Sequence, residues 1–231
     1  MLSAVDAVVL DVGGVLLLPD PAIVRKRLSP FGACPSDEQC DHAYYAGMAA
    51  IDGLGADDFS HADRAVVRSL GIGEEDLEAA AAELAAAYAE PWVPVAGAAD
   101  QLRRLRAAGV SLAIVSNATG EVEATLARHG ICAVAGASPH TGVPEVAAVV
   151  DSFVVGVKKP EPAIFALVLE ALGAAPERCA YVGDSVHFDV NGAIAAGLWP
   201  VHLTALTGCA GEHPHYPGLS HFVDAFLGER R

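Results

Sequence analysis

The chain is predicted to be an α/β protein: a Rossmann-like parallel sheet with helices on both faces and an inserted α-helical cap domain. Three observations predict this. Short apolar runs alternate with helical patterns over most of the length. One long stretch holds helical patterns and no strand. Polar clusters follow directly after apolar runs, as at the carboxyl rim of an open sheet.

The elements follow in order. "AVVL", residues 7 to 10, is the first strand and runs straight into Asp11. From about Asp20 to Pro91 no strand pattern occurs, and the helical segments are separated by "SPFGACPSD", "IDGLGADD" and "GIGEED". Aspartate and serine stand at cap positions in "PSDEQ" and "GADDF". This stretch is the cap, residues 18–92, and "EPWVPV" is the return linker. Residues 1–17 and 93–231 then form the core. In the core, further strands are expected at Leu112–Val115, Ile131–Ala135, Phe153–Val155, Ala180–Val182 and Trp199–Leu203. "AGAADQLRRLRAAG" puts Leu102 and Leu105 on one helical face and stops at Gly109. "TGEVEATLARHG" repeats the pattern, with Thr119 as N-cap and Gly130 as stop. Residues 136–151 read as a loop with a little helix.

Composition narrows the function. The chain has 231 residues, 53% apolar and 19% charged, which argues against disorder. Its net charge of −15 disfavours nucleic acid and anionic membrane as partners. The same field opposes a phosphorylated substrate, so a phosphate site here needs local cations or a metal. No apolar run approaches the ~18 residues of a membrane span, and the N-terminal run is broken by Asp11 and glycines, unlike a signal peptide. The cysteines at 34, 40, 132, 179 and 209 are odd in number and form no CxxC pair. Together these features suggest a reduced, cytoplasmic protein. His213 and His215, two apart in "GEHPHYPG", lack a third ligand in the sequence and read as a loop.

Each strand hands polar residues to the rim. The first delivers Asp11; "LAIVSN" delivers Ser116 and Asn117; "FVVGVKKPEPAIF" delivers Lys158 and Lys159; "CAYVGDSVHFDVNGAIAAG" delivers Asp184 and Asp189. A carboxylate can attack phosphorus once the negative charges are neutralised. Mg²⁺ held by carboxylates does this, a hydroxyl and backbone amides cradle phosphate oxygens, and lysine adds a mobile positive charge.

At these residues the chain resembles the haloacid dehalogenase-like hydrolase superfamily, in the branch with a helical cap after the first motif. The four motifs are "LDVGGVLL", "LAIVSN", "GVKKPEPAIF" and "YVGDSVHFDVNGAIAAG", in order. The resemblance implies Asp11 as nucleophile, Ser116 and Asn117 as phosphate contacts, and Lys159 as clamp. It also implies Mg²⁺ held by Asp11, the Gly13 carbonyl and Asp184, with Asp189 in the metal shell or on the lysine. The activity implied is hydrolysis of a small phosphorylated metabolite by way of an aspartyl-phosphate, in a monomer or homodimer. One departure stands out. Phosphatases of this family carry a second aspartate two residues after the first, and here that position is Gly13. The missing acid/base is worth roughly 10²–10⁴-fold. Three readings stay open: a phosphatase for good leaving groups, or with an acid from elsewhere such as His187; a metal-independent dehalogenase-like enzyme attacking carbon; and a catalytically impaired binder of phosphorylated ligands.

Overall fold

The computed structural model describes residues 4–54, 59–136, 142–205 and 211–230. Its strands are β1 (Ala7–Leu10), β2 (Leu17–Leu18), β3 (Val93–Pro94), β4 (Ser111–Ser116), β5 (Ala133–Val134), β6 (Glu145–Val146), β7 (Val149–Asp151), β8 (Cys179–Gly183), β9 (Trp199–Leu203) and β10 (His215–Tyr216). Its helices are α1 (Pro21–Leu28), α2 (Asp37–Leu54), α3 (Phe59–Ser69), α4 (Leu77–Tyr88), α5 (Ala98–Ala107), α6 (Val122–Arg128), α7 (Ser152–Val155), α8 (Pro162–Leu172), α9 (Asn191–Ala195) and α10 (Leu219–Gly228).

The main sheet has six strands in the order β10-β9-β8-β1-β4-β7. Its pairings are all parallel. This is the Rossmann-like arrangement expected. β1 lies inside the sheet with all four residues buried, which explains its unbroken apolar run. Successive side chains point to opposite faces. Ala7, Val9, Ala113, Val115 and Tyr181 pack with Ile164, Phe165 and Val168 of α8. Val8, Leu10, Leu112 and Ile114 are equally buried on the alternate positions. α5 packs against β4 and α10, burying Leu102 and Leu105.

The chain divides into two compact units. Leu17–Val93 forms the helical one; the described residues before Leu17 and from Pro94 on, apart from Ala205, form the sheet unit. The helical unit has its own core, including Val24, Leu28, Val66, Val67, Leu77 and Leu84. Its helix starts obey the sequence signals. Asp20 accepts a hydrogen bond from Ala22 N at 2.8 Å ahead of Pro21. Ser36 and Gln39 form a reciprocal capping box, with bonds of 2.8 and 3.2 Å. The cap expected in "GADDF" falls largely outside the described residues, as does Cys209. Arg25 and Arg27 are paired with Asp37 and with Glu83 and Glu90, as a solvated face requires.

Four local expectations are corrected. Phe153–Val155 is helical, not extended: it lies within α7, where Asp151 caps by accepting from Phe153 N at 2.9 Å and Gly156 (φ +73°) ends the turn. Phe153 is 74% exposed, so its apolar character reflects no core position. Ile131–Ala135 contributes only β5, which pairs with β6 outside the main sheet. The strand beside β4 is β7, within the segment read as a loop. Finally, Glu121 and not Thr119 is the N-cap residue of α6. Among the described residues no helix is long and apolar enough to cross a membrane.

Candidate active site

β1 ends at Asp11, whose backbone N–H donates to Val182 O at 2.8 Å and so ties the carboxylate's base to β8. β8 ends in Gly183, followed by Asp184. Both carboxylates therefore leave neighbouring parallel strands at the same rim. Gly14, at φ +65°, makes the close approach possible: a Cβ there would lie 2.2 Å from an Asp184 carboxylate oxygen. Gly183 has the same role toward Asp189, whose carboxyl carbon would sit 2.2 Å from an added Cβ.

Lys159 binds the cluster together. It is 2% exposed, and its ammonium lies 2.8 Å from Asp11 Oδ1 and 2.7 Å from Asp189 Oδ1. It also donates to the Tyr181 hydroxyl at 3.1 Å. The hydroxyl in turn donates to Asp189 Oδ1 at 2.9 Å. Asp189 Oδ2 accepts the backbone N–H groups of Asp184 and Ser185 at 3.1 and 3.0 Å. Both oxygens of Asp189 are thus committed to protein donors. Lys158, by contrast, is exposed.

Asn117 positions the lysine from behind. Its amide donates to Lys159 O at 3.0 Å, and its side-chain oxygen accepts Lys159 N–H at 2.8 Å. Ser116 is buried at the end of β4, in register with Asp151. Neither residue caps α6, because a loop intervenes. The backbone amides of that loop, expected to be open for phosphate, are engaged in part: Ala118 N–H donates to Ser152 Oγ and Gly120 N–H to Asp151 Oδ2.

Burial sets the electrostatics. Desolvation raises the Asp11 carboxyl to about 6, although Lys159 pulls it down; the Asp189 charge adds to the rise. Burial would lower the Lys159 ammonium, but Asp11 and Asp189 outweigh it, and its pKa ends above the ordinary range. Tyr181 is likewise raised, by burial first and then by the neighbouring carboxylates, so it stays a neutral donor. Carboxylate oxygens of Asp11, Asp184 and Asp189 lie within 4.8 Å of one another. A set of buried carboxylate oxygens fits a hard divalent cation such as Mg²⁺.

Sequence reasoning missed Tyr181, Asp151 and Ser185. Tyr181 had a signal, a lone hydroxyl within a buried strand. Asp151 has none, because its three-residue strand leaves no periodic trace. His187 stands in the π-helical segment Val186–Val190 with its ring against Phe188.

A family model for haloacid dehalogenase-like hydrolases matches residues 5–197. The chain belongs to this family. The matched span includes every site residue named above. A phosphoserine phosphatase of Thermus thermophilus is 50% identical over 44 residues, covering 19% of this chain and 18% of that protein. The chain thus matches less than a fifth of that relative's length. Among solved structures, a HAD phosphatase from Thermococcus onnurineus is 21% identical with a TM-score of 0.58, covering 98% of this chain and 100% of the other. An L-2-haloacid dehalogenase from Xanthobacter autotrophicus, with chloropropionic acid covalently bound, is 23% identical with a TM-score of 0.55, covering 97% and 99%. Fold alone is common to phosphatases and dehalogenases.

Proposed function

We propose that this hydrolase cleaves a small phosphate monoester by way of an aspartyl-phosphate on Asp11. The observation that carries the reading is the buried grouping of Asp11, Lys159, Asp184 and Asp189 at one sheet rim. Asp11 Oδ attacks phosphorus, the ester oxygen departs with its electron pair, and an acyl-phosphate forms. Water then attacks the phosphorus, releases phosphate and regenerates the Asp11 carboxylate. Lys159 holds Asp11 in place and offsets charge on attacker and phosphate. Ser116 and Asn117 contribute to the phosphate side, Asn117 through its clasp on the lysine backbone. Asp189, with both oxygens occupied, orients Lys159 and the Asp184 loop. Asp11, Asp184 and the Gly13 carbonyl would hold Mg²⁺, with Asp189 completing the acidic set. Bound there, the ion would supply charge neutralisation to the phosphate. Leu17–Val93 is assigned as the cap that selects the substrate.

Gly13 shapes the expected specificity. No carboxyl stands there to protonate a departing alkoxide, so substrates with acidic leaving groups are favoured. With an aryl phosphate and Mg²⁺, the protein should release phosphate. Asp11→Asn and chelation should each reduce the rate to background; release that survives Asp11→Asn would remove the proposal. Gly13→Asp should raise kcat toward alkyl phosphates by roughly 10-fold or more, within the range for acid–base help. No gain in a folded variant would show that another group already transfers the proton.

Gly13 also favours a second reading, in which Asp11 displaces halide from carbon and water then cleaves the resulting ester. Halide release from a 2-haloacid without metal, and no phosphate release from any ester, would replace the first reading by this one.

A further inference from the structure

A second cluster adjoins the Asp184 backbone through His202. We propose that His202, His213 and His215 form a binding site for an imidazole-seeking divalent transition ion of the Zn²⁺ and Co²⁺ class, distinct from the carboxylate site. The three residues come from adjacent parallel strands and the segment before one of them. His215 on β10 stands in register with His202 on β9. His213 lies two residues before His215, and their rings stack with centroids 4.6 Å apart. One ring nitrogen from each residue falls within 4.8 Å of the others.

Three details point to an ion. His202 is 5% exposed, and its Nε2 lies 3.1 Å from Asp184 O. A carbonyl oxygen can only accept, so His202 Nε2 carries a proton and Nδ1 is the nitrogen turned toward His213. Metal-ligating histidines are held by this kind of bond through their other nitrogen. His213 Nε2 approaches that Nδ1 at 3.4 Å. This exceeds the usual length of an N–H bond to an acceptor. It equals the edge of a tetrahedron whose metal–nitrogen bonds are about 2.0–2.1 Å, roughly 3.3–3.4 Å. The third detail is His215 Nε2, which is buried with no hydrogen-bond partner among the described residues. A buried ring nitrogen without a partner is costly, and a bound cation satisfies it. Among the described residues the set is three imidazoles with no carboxylate, which favours a borderline ion over Mg²⁺.

The test is a Co²⁺ titration of the full-length, metal-stripped protein in excess Mg²⁺, followed by visible absorption and by equilibrium dialysis with Zn²⁺. One equivalent should bind and produce a ligand-field band. His213→Ala and His215→Ala should each weaken binding by at least ~10-fold. His213→Gln, which keeps side-chain bulk and polarity, guards against misfolding and should weaken it likewise. Asp184→Asn, in the carboxylate site, should leave the band in place. A band lost in Asp184→Asn yet kept in the histidine variants would put the ion on the carboxylates and overturn the proposal. Absence of binding below millimolar Co²⁺ and Zn²⁺ would overturn it as well.

Discussion

At the residue scale, the proposed chemistry rests on a carboxylate kept beside a lysine in a dry place. Asp11 must be ionised to attack, and burial has raised its pKa to about 6. Protonation therefore removes the nucleophile as pH falls through that value. We expect kcat/KM to drop by tenfold per pH unit below about pH 6 at low Mg²⁺. A cation and a proton compete for the same oxygens, so raising Mg²⁺ should move the acid limb to lower pH. A pH–rate series at two Mg²⁺ concentrations checks both points; a limb that ignores Mg²⁺ would separate the titrating group from the ion. The choice of Lys159 over Lys158 also belongs here. Both are candidates in the sequence, and in the fold the backbone clasp by Asn117 and the ion pairs to Asp11 and Asp189 hold Lys159 inward.

At the element scale, α3 carries an acid in an apolar setting. Asp63 lines a cavity of about 310 Å³ with Tyr44, Tyr88 and Trp92 in the helical unit. Burial raises its pKa to about 6, against an opposing effect of Arg64. The sign follows from linkage. Between pH ~4 and 6 the folded state holds a proton that the unfolded state has lost, so stability falls as pH rises through this window. Above about pH 6 both states are ionised and the full cost is present. Asp63→Asn should therefore stabilise the protein at pH 8, by about 1 kcal/mol after discounting for partial solvent screening. The gain should fade toward pH 4. Thermal melts of both proteins across this range measure it, and a gain independent of pH would exclude charge burial as the cause. The same scale shows where hydrophobic pattern misleads. "SFVVG" has strand composition, yet α7 forms because Asp151 caps it, and its side chains remain exposed. In β7 only three residues pair, too few for periodicity to reveal.

At the scale of the whole molecule, charge opposes the proposed substrate. A net charge of −15 repels a phosphate dianion at a distance, whereas Lys159 acts only at contact range. Raising ionic strength from about 20 to 200 mM shortens the screening length several-fold and should raise kcat/KM for an anionic ester. KM should change more than kcat. A stopped-flow or steady-state series at fixed free Mg²⁺ tests this; a fall with salt would mean that local cations dominate the approach.

Much of this was legible in the sequence. Strand-terminal acids, the "GDSVHFD" segment and the lysine pair named the residues that meet at the rim, because parallel strands all end on one side and each apolar run announces its own end. Its limits were equally physical. Short strands, a helix nucleated by one cap, and a hydroxyl inside a buried strand leave no periodic trace. The contact between His202 and the pair His213 and His215 was unreadable, since strand register, not spacing along the chain, sets those distances. Chain order determined by itself the fold class and the acids and lysines that strand ends offer to the rim. Tertiary structure alone decided which nitrogen faces which oxygen, because that choice belongs to packing between segments far apart in the chain.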